Sequence, residues 1–168
     1  MWTREGTSEL GPQKLPSLAR KLGFAAISGF GGFIMIFLLA QATASLHTAL
    51  LIAPFGASCV LVFALPHSPL ARPRNVIGGH LVSATVGVCA YALFGAAPWS
   101  FGIGVGFAIA LMELTSTLHP PAGADPIVVI LAKAGWTFLL SPVLAGAVLI
   151  VAAAFAYHRV LSQRPYPI

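Results

Sequence analysis

Charged residues are scarce in this chain. Only 8% of its 168 residues are Asp, Glu, Lys or Arg, and four of them are acidic, whereas soluble domains are roughly 25% charged. Two cysteines fall in apolar stretches, so we interpret them as small buried hydrophobic residues and not as a disulfide or metal pair. Hydrophobic residues make up 58% of the chain, and its mean hydropathy is +0.91. This composition excludes an ordinary soluble domain and predicts an integral membrane protein.

Two long uncharged stretches must fold back within the membrane. No charged residue lies between Lys21 and Arg72 or between Arg74 and Glu113, and each gap exceeds the roughly 20 residues of one crossing. Prolines, glycines and polar runs divide the chain into six apolar segments, at about 22–44, 54–66, 76–94, 101–114, 127–140 and 143–157. We therefore predict an all-α membrane protein with about six membrane segments, the second and fifth either spanning or being broken or re-entrant helices. Four full crossings are the alternative.

The basic residues predict the orientation, because Lys and Arg stay on the cytoplasmic side of bacterial membranes. Six crossings place all of them on one side except Lys133, which falls in the fifth segment. We expect cytoplasmic tails at 1–21 and 161–168, a transmembrane domain at 22–160 and a location in the bacterial inner (plasma) membrane. The first 21 residues lack the apolar core of a secretory signal. Topology and lipid headgroups explain the net charge of +5, so nucleic-acid binding is not expected.

An internal repeat emerges when the chain is shifted by 67 positions. The matched pairs are Leu51 with Leu118, Pro54 with Pro121, Gly56 with Gly123, Ala57 with Ala124, Val62 with Val129, Val76 with Val143, and Gly79 with Gly146, while Ser58 meets Asp125. Chance is the alternative, since Pro, Gly and Ala are common in membrane proteins. Repeats at about 22–95 and 96–160 would hold three segments each, so the second would be inverted, as in many transporters.

Both halves carry a Pro-x-Gly-Ala run that resembles the start of a helix. Proline fits the first helical turn and glycine permits close backbone approach. Helix N-termini facing one midplane region would suit a small anion. The candidate pathway residues in these runs are Pro54, Gly56, Ala57, Ser58, His119, Pro120, Pro121, Gly123, Ala124 and Asp125.

Two of these side chains can ionise. Asp125 could cap the helix that follows it, pair with Lys133 or His119, or take up a proton coupled to anion movement. His119 could contact substrate or carry a proton, because its usual pKa lies near physiological pH; alternatively it satisfies backbone carbonyls freed by the two prolines after it.

Further polar residues lie near the other predicted segments. Arg74, Asn75 and His80 form a second polar group, in which arginine suits an oxyanion because its planar fork donates two parallel hydrogen bonds. Anchoring at the inner interface is the alternative for the arginine. Glu113 and Lys133 are candidates for ion or proton coupling, because ionisable residues in membrane segments are often functional. The alternative is that both side chains simply reach the interface.

These motifs resemble the HPP family of integral membrane proteins. The resemblance rests on 118–124, on 53–58 and on the stretch from Ser68 to His80, and it spans about 22–157. It implies a small membrane protein, usually described as four-spanning, with some members implicated in nitrite transport. This chain departs from the family's usual Ala-Gly-Ala-Thr-Ala, having Asp125 after Ala124.

No enzyme motif, phosphate-binding loop or metal-ligand spacing is present, so we predict neither an enzyme nor a cofactor. We expect transport of a small inorganic anion such as nitrite, by a channel or a secondary transporter. The alternative is a non-transporting structural or assembly subunit of a membrane complex. Because six short segments enclose little volume, we also expect a homo-oligomer, either a dimer or a trimer.

Overall fold

The computed structural model describes residues 17–167, which contain six helices and no strand. The helices are α1 (Leu18–Leu46), α2 (Ala53–Ala64), α3 (Pro73–Phe94), α4 (Pro98–Leu114), α5 (Pro120–Leu131) and α6 (Leu139–Ser162). A short 3-10 turn, Pro69–Ala71, precedes α3. Most of the predicted N-terminal tail, and Ile168 at the other end, lie outside the described residues.

The helices fall into two length classes. In the described part of the chain, α1, α3 and α6 are long and apolar enough to cross a membrane. The other three are shorter. In α2 a seven-residue α-helix continues into five π-helical residues, and in α5 five 3-10 residues lead into a seven-residue α-helix. At 1.5 Å per residue each extends about 18 Å, well short of the roughly 30 Å hydrocarbon core. The second and fifth segments are therefore short, as the sequence predicted.

The fifth segment does not lie where it was predicted. We expected a helix over 127–140, but α5 begins at Pro120 and ends at Leu131. Pro120 and Pro121 occupy its first turn, where a missing N–H group costs no hydrogen bond. The chain then turns at Lys133, which has a φ of 50°. Lys133 therefore lies in the exposed connection to α6, and its predicted position inside the segment is wrong.

The six helices alternate in direction. The Arg74 side chain at the start of α3 donates a hydrogen bond to the Thr115 carbonyl just after α4, at 2.7 Å. Arg164, beyond the end of α6, stacks 4.4 Å from the centre of an aromatic ring near the start of α1. At the opposite end, the Ser141 hydroxyl in α6 donates to the Ala49 carbonyl just after α1. Both ends of the described chain consequently lie on one side of the bundle.

Helix α3 lies at the centre and packs against α4 and α5. Small residues make this possible: a Cβ atom at Gly87 would lie 2.7 Å from the Pro126 Cα, and one at Gly104 would lie 3.0 Å from the Pro126 Cβ. Helix α5 can therefore approach both of its neighbours closely. Its first turn is held against the middle of α3, where the polar side chains of the bundle meet.

The outside of the bundle is strongly apolar. Large side chains on several helices are more than half exposed, among them Phe33, Leu93, Phe107, Leu131 and Val160. So much exposed apolar surface is unfavourable in water, but it is what a lipid-facing surface requires. The bundle is thus apolar outside and carries its polar side chains within.

Candidate functional site

Four polar side chains meet in the interior of the bundle. They are Ser58 from α2, His80 from α3, His119 from the residue preceding α5, and Asp125 from α5 itself. All four have 0% of their surface exposed. We call these four residues the buried polar cluster. Polar groups in such an environment usually have hydrogen-bond partners, and within the cluster the Asp125 Oδ1 is the one polar side-chain atom without a partner in the described chain.

The cluster is a continuous chain of short hydrogen bonds. The Asp125 Oδ2 lies 2.7 Å from the His80 Nδ1, and the His80 Nε2 lies 2.8 Å from the Ser58 Oγ. The Ser58 Oγ also lies 2.9 Å from the His119 Nε2. At the far end the His119 Nδ1 donates to the Leu70 carbonyl, at 2.8 Å. One serine hydroxyl thus joins two imidazole rings, and one ring carries a carboxyl partner.

The local backbone explains how His119 reaches this position. The residue is extended, with φ −136° and ψ 99°, because the following prolines disfavour a helical conformation before them. The extended segment lies directly on α3, where a Cβ atom at Gly79 would be 2.6 Å from the His119 Cβ and 2.8 Å from the Thr117 carbonyl oxygen. Glycine at position 79 therefore lets the histidine approach α3.

Aromatic packing holds the other imidazole ring. The edge of Phe55 meets His80, with ring centres 5.0 Å apart and planes at 87°. The same phenylalanine fills the space left by the missing side chain of Gly146 on α6. His80 is fixed between this ring and the His119 ring, whose centre lies 5.1 Å away. The cluster is consequently rigid on the α3 side.

Ser58, His80 and Asp125 have the connectivity of a hydrolase triad, in which a histidine links a carboxylate to a serine nucleophile. Two features distinguish them from such a site. The Ser58 hydroxyl has no exposed surface at which a substrate carbonyl could meet it. A second imidazole also occupies its remaining side. The arrangement is suited to holding and passing protons.

Counting hydrogens gives the charge of the cluster. Its four contacts need one hydrogen each. A protonated carboxyl, two neutral imidazoles and one hydroxyl supply four, and an ionised Asp125 with one imidazolium supplies the same number. All four contacts are therefore satisfied when the cluster as a whole is uncharged. Such neutrality is what burial in an apolar bundle favours.

Other hydrogen bonds brace the segments around the cluster. The Asn75 side chain donates to the Leu118 carbonyl at 2.8 Å, and the Ser83 hydroxyl donates to the Ala122 carbonyl at 2.6 Å. Together with the Arg74 bond to Thr115, they fasten both ends of the His-Pro-Pro segment to α3. Arg74 and Asn75 thus contact backbone carbonyls, and the sequence alone did not reveal the contribution of Ser83.

The contacts of Asp125 bear directly on the roles predicted for it. Its carboxylate makes no helix-capping hydrogen bond, and its one ion-pair partner within residues 17–167 is His80. Asp125 therefore neither caps the helix nor pairs with Lys133 or His119. His119 does bond a backbone carbonyl, but that carbonyl belongs to Leu70 and was not freed by the prolines. Whether either residue carries a proton in transport stays a prediction.

The Pro-x-Gly-Ala residues are close in the fold but differ in exposure. Helix α2 contacts the first turn of α5, and Pro54 and Pro121 are both buried, whereas Pro120 is exposed. Gly56 and Ala57 are exposed, and Gly56 lines a groove between α1 and α2 to which none of the four cluster residues contributes. Gly123 and Ala124 are half-buried. The buried side chains, more than the glycines, mark the polar centre.

Glu113 and Lys133 lie apart from the cluster and from each other. Glu113 is exposed near the end of α4, and Lys133 is exposed beyond the end of α5, on the opposite side of the bundle. Within residues 17–167 no three His, Cys, Asp or Glu side chains are grouped so that they could hold a metal ion.

An apolar helical bundle with ionisable residues bonded together in its interior defines an integral membrane protein with an internal polar site. The chain belongs to the HPP family: the HPP transmembrane region matches residues 17–167.

The curated relatives carry little functional information. One transmembrane protein of Dictyostelium discoideum is 31% identical over 99% of this chain and 61% of its own length, and a second is 32% identical over 94% and 54%. The chain therefore spans little more than half the length of these relatives. No solved structure matches it.

Proposed function

We propose that this protein moves a small inorganic anion such as nitrite across a membrane, and the buried polar cluster is the observation that carries the proposal. Ionisable side chains inside a membrane domain are costly and usually mark an ion or substrate pathway. In this cluster, side chains from two short helices, α2 and α5, bond to His80 of the central helix α3. Its position is that of a substrate site between broken helices.

We further propose that the bundle consists of two inverted repeats. Shifted by 67 positions, Ala53–Ala64 falls on Pro120–Leu131, so that α2 matches α5 from end to end. The same shift lays α3 on α6 to within one residue at each end. Since α3 and α6 run in opposite directions, the matched halves are inverted. The agreement extends to helix ends that the sequence comparison did not use.

Equivalent close contacts support the same relation. A Cβ atom at Gly79 would lie 2.8 Å from the Thr117 carbonyl oxygen, and one at Gly146 would lie 2.9 Å from the Leu50 carbonyl oxygen. The shift of 67 relates both members of these two pairs. It also relates Ser58 to Asp125, which supports a cluster shared by the two halves. Inverted-repeat transporters hold their substrates at such an interface.

The charges of the bundle favour an anion over a cation. Most basic residues of the described chain lie on the side where α3 begins; they are Arg20, Lys21, Arg72, Arg74, Arg159 and Arg164. Such a surface raises the local concentration of anions. Within the cluster the imidazole N–H and hydroxyl O–H donors are used on one another and on the Leu70 carbonyl, and the single carboxyl group is already paired with His80, so no unpaired negative charge there opposes an anion. The distribution of charge therefore supports a small anion as the substrate.

The test is nitrite uptake by vesicles containing the purified protein. We expect uptake above that of protein-free vesicles, and we expect Asp125→Asn to reduce it roughly tenfold or more, because His80 loses a charge-assisted hydrogen bond worth about 1.5–3 kcal/mol. Glu113→Gln is the matched control, since it makes the same chemical change at the exposed end of α4.

Two outcomes would count against the proposal. If folded wild-type protein moves neither nitrite nor another small anion, the structural-subunit alternative is favoured. If both variants transport as well as wild type, the cluster is not the site. The homo-oligomer, the plasma-membrane location and the cytoplasmic termini stay predictions.

A further inference from the structure

We propose that the buried polar cluster binds one proton together with each anion, so that the protein is an electroneutral proton–anion symporter. The inference rests on the proposed anion transport and names its coupling ion. It comes from counting the hydrogens that the cluster can hold without losing a bond.

The first state holds four hydrogens and is uncharged. The Leu70 carbonyl can only accept, so the His119 Nδ1 carries a hydrogen. If His119 is neutral, its Nε2 accepts from the Ser58 hydroxyl, which in turn accepts from the His80 Nε2. The last hydrogen lies between the His80 Nδ1 and the Asp125 Oδ2. Every contact is satisfied.

A second state holds one more hydrogen. The Ser58 hydroxyl lies 3.3 Å from the Pro54 carbonyl, which is a further acceptor on its own helix. When the hydroxyl turns to this carbonyl, its two lone pairs can accept from both Nε2 atoms. Both imidazoles are then doubly protonated, Asp125 is ionised, and no hydrogen bond of the chain is lost. The added proton resides on His119, and the cluster has a charge of +1.

No other protein group neutralises that charge. The only other acid among residues 17–167 is Glu113, which is exposed at the end of α4. No hydrogen bond in the described chain joins any other titratable or charged side chain of the surrounding helices and their connections to the cluster. These side chains are His47, Cys59, His67, Arg72, Arg74, Cys89, Tyr91, Lys133, Tyr157, His158 and Arg159.

A monovalent anion supplies the missing charge. An uncompensated charge is unfavourable inside an apolar bundle, so the five-hydrogen state is favoured when an anion is close, and the four-hydrogen state when it is absent. Proton and anion therefore enter and leave together, one of each. The serine hydroxyl is the switch, because its rotation allows His119 to be protonated.

The test separates voltage from pH as driving forces for nitrite. Vesicles containing wild-type protein receive a membrane potential from a potassium gradient with valinomycin, or a pH gradient at zero potential. About 60 mV would change the equilibrium accumulation of a uniported monoanion tenfold. A one-to-one symporter ignores that potential and responds tenfold to one pH unit. Passive entry of nitrous acid reaches the same equilibrium under a pH gradient, so the comparison uses initial rates of uptake, from which the rate in protein-free vesicles is subtracted.

His119→Gln removes the group that takes the extra proton while keeping an amide that can bond Leu70 and Ser58. We expect it to abolish the protein-dependent response to the pH gradient. His67→Gln, at an exposed histidine outside the cluster, should keep the full response.

If wild-type nitrite flux depends on the voltage and not on the pH gradient, the proposed proton coupling is wrong. The proposed anion transport would still be supported by that result. An unchanged pH response in folded His119→Gln would also overturn it. Absence of any flux in wild-type vesicles would instead refute the proposed function.

Discussion

Replacing Gly79 with alanine should separate α3 from the His-Pro-Pro segment. The new Cβ atom would lie 2.6 Å from the His119 Cβ and 2.8 Å from the Thr117 carbonyl oxygen. Ordinary contacts at a Cβ atom are longer than about 3.4 Å, so the two segments must move apart by nearly 1 Å. Neither obstacle is the flexible end of a side chain. The shift would stretch the 2.9 Å contact between Ser58 and His119.

Two opposing effects determine the size of the change. Alanine is a better helix former than glycine by about 1 kcal/mol. Overpacking a tight interior costs about 1–3 kcal/mol, and this estimate excludes the lost cluster bond, worth about 1 kcal/mol more. The net loss should therefore be about 1–3 kcal/mol in the free energy of unfolding.

The measurement is reversible unfolding of the purified protein in mixed detergent micelles, followed by far-UV circular dichroism. Gly106→Ala is the matched control, because this glycine also lies inside a helix, α4, and a Cβ atom there meets nothing within 4 Å. We expect the control to be unchanged or up to about 1 kcal/mol more stable. Equal unfolding free energies for the two variants would refute the argument that Gly79 is required for close approach.

Two further predictions concern residues outside the cluster. Asn75→Ala should lower the free energy of unfolding by about 1 kcal/mol, because the Leu118 carbonyl loses its side-chain donor; equal stability of the variant and wild type in the same micelle assay would contradict this role. Burial raises the pKa of Tyr166 to about 12. The ultraviolet tyrosinate signals of wild type and the Tyr166→Phe variant should therefore differ only near pH 12. In the unfolded chain this tyrosine ionises with its usual pKa near 10, so Tyr166 should lower the free energy of unfolding as the pH rises above that value. A difference between the two tyrosinate signals already at pH 10 would contradict the raised pKa.

The sequence was sufficient to predict the helical architecture. Uncharged stretches and proline breaks predicted six membrane segments. The described structure has six helices, of which three are long and apolar enough to cross a membrane, and the second and fifth are among the shorter three. Boundaries were less predictable around proline. The Pro-x-Gly-Ala run at Pro121 was interpreted as a helix start, but the fifth apolar segment was bounded at 127–140, whereas α5 ends at Leu131. This displaced α5 and Lys133.

The partners within the site could not be predicted to the same degree. Ser58, His80, His119 and Asp125 were all candidates, but the bond between His80 and Asp125 was not foreseen. Forty-five positions separate these residues, and their meeting depends on how closely α5 approaches α3. The hydrogen bond to the Leu70 carbonyl was even less predictable. Every residue has a backbone carbonyl, so the residue type does not show which one accepts a hydrogen bond.

The difference between Ser58 and Asp125 is informative if the two halves of the bundle are repeats. Equivalent positions near a two-fold axis lie close together, so identical residues there would change the charges that the cluster can adopt. Two carboxyl groups would add a second negative charge, which repels an anion. Two hydroxyl groups would still allow a total charge of zero or +1, but they would leave a His80 imidazolium without a counter-charge. One hydroxyl and one carboxyl, shared between His80 and His119, allow a total charge of zero or +1. That single unit of change matches the charge of one monovalent anion.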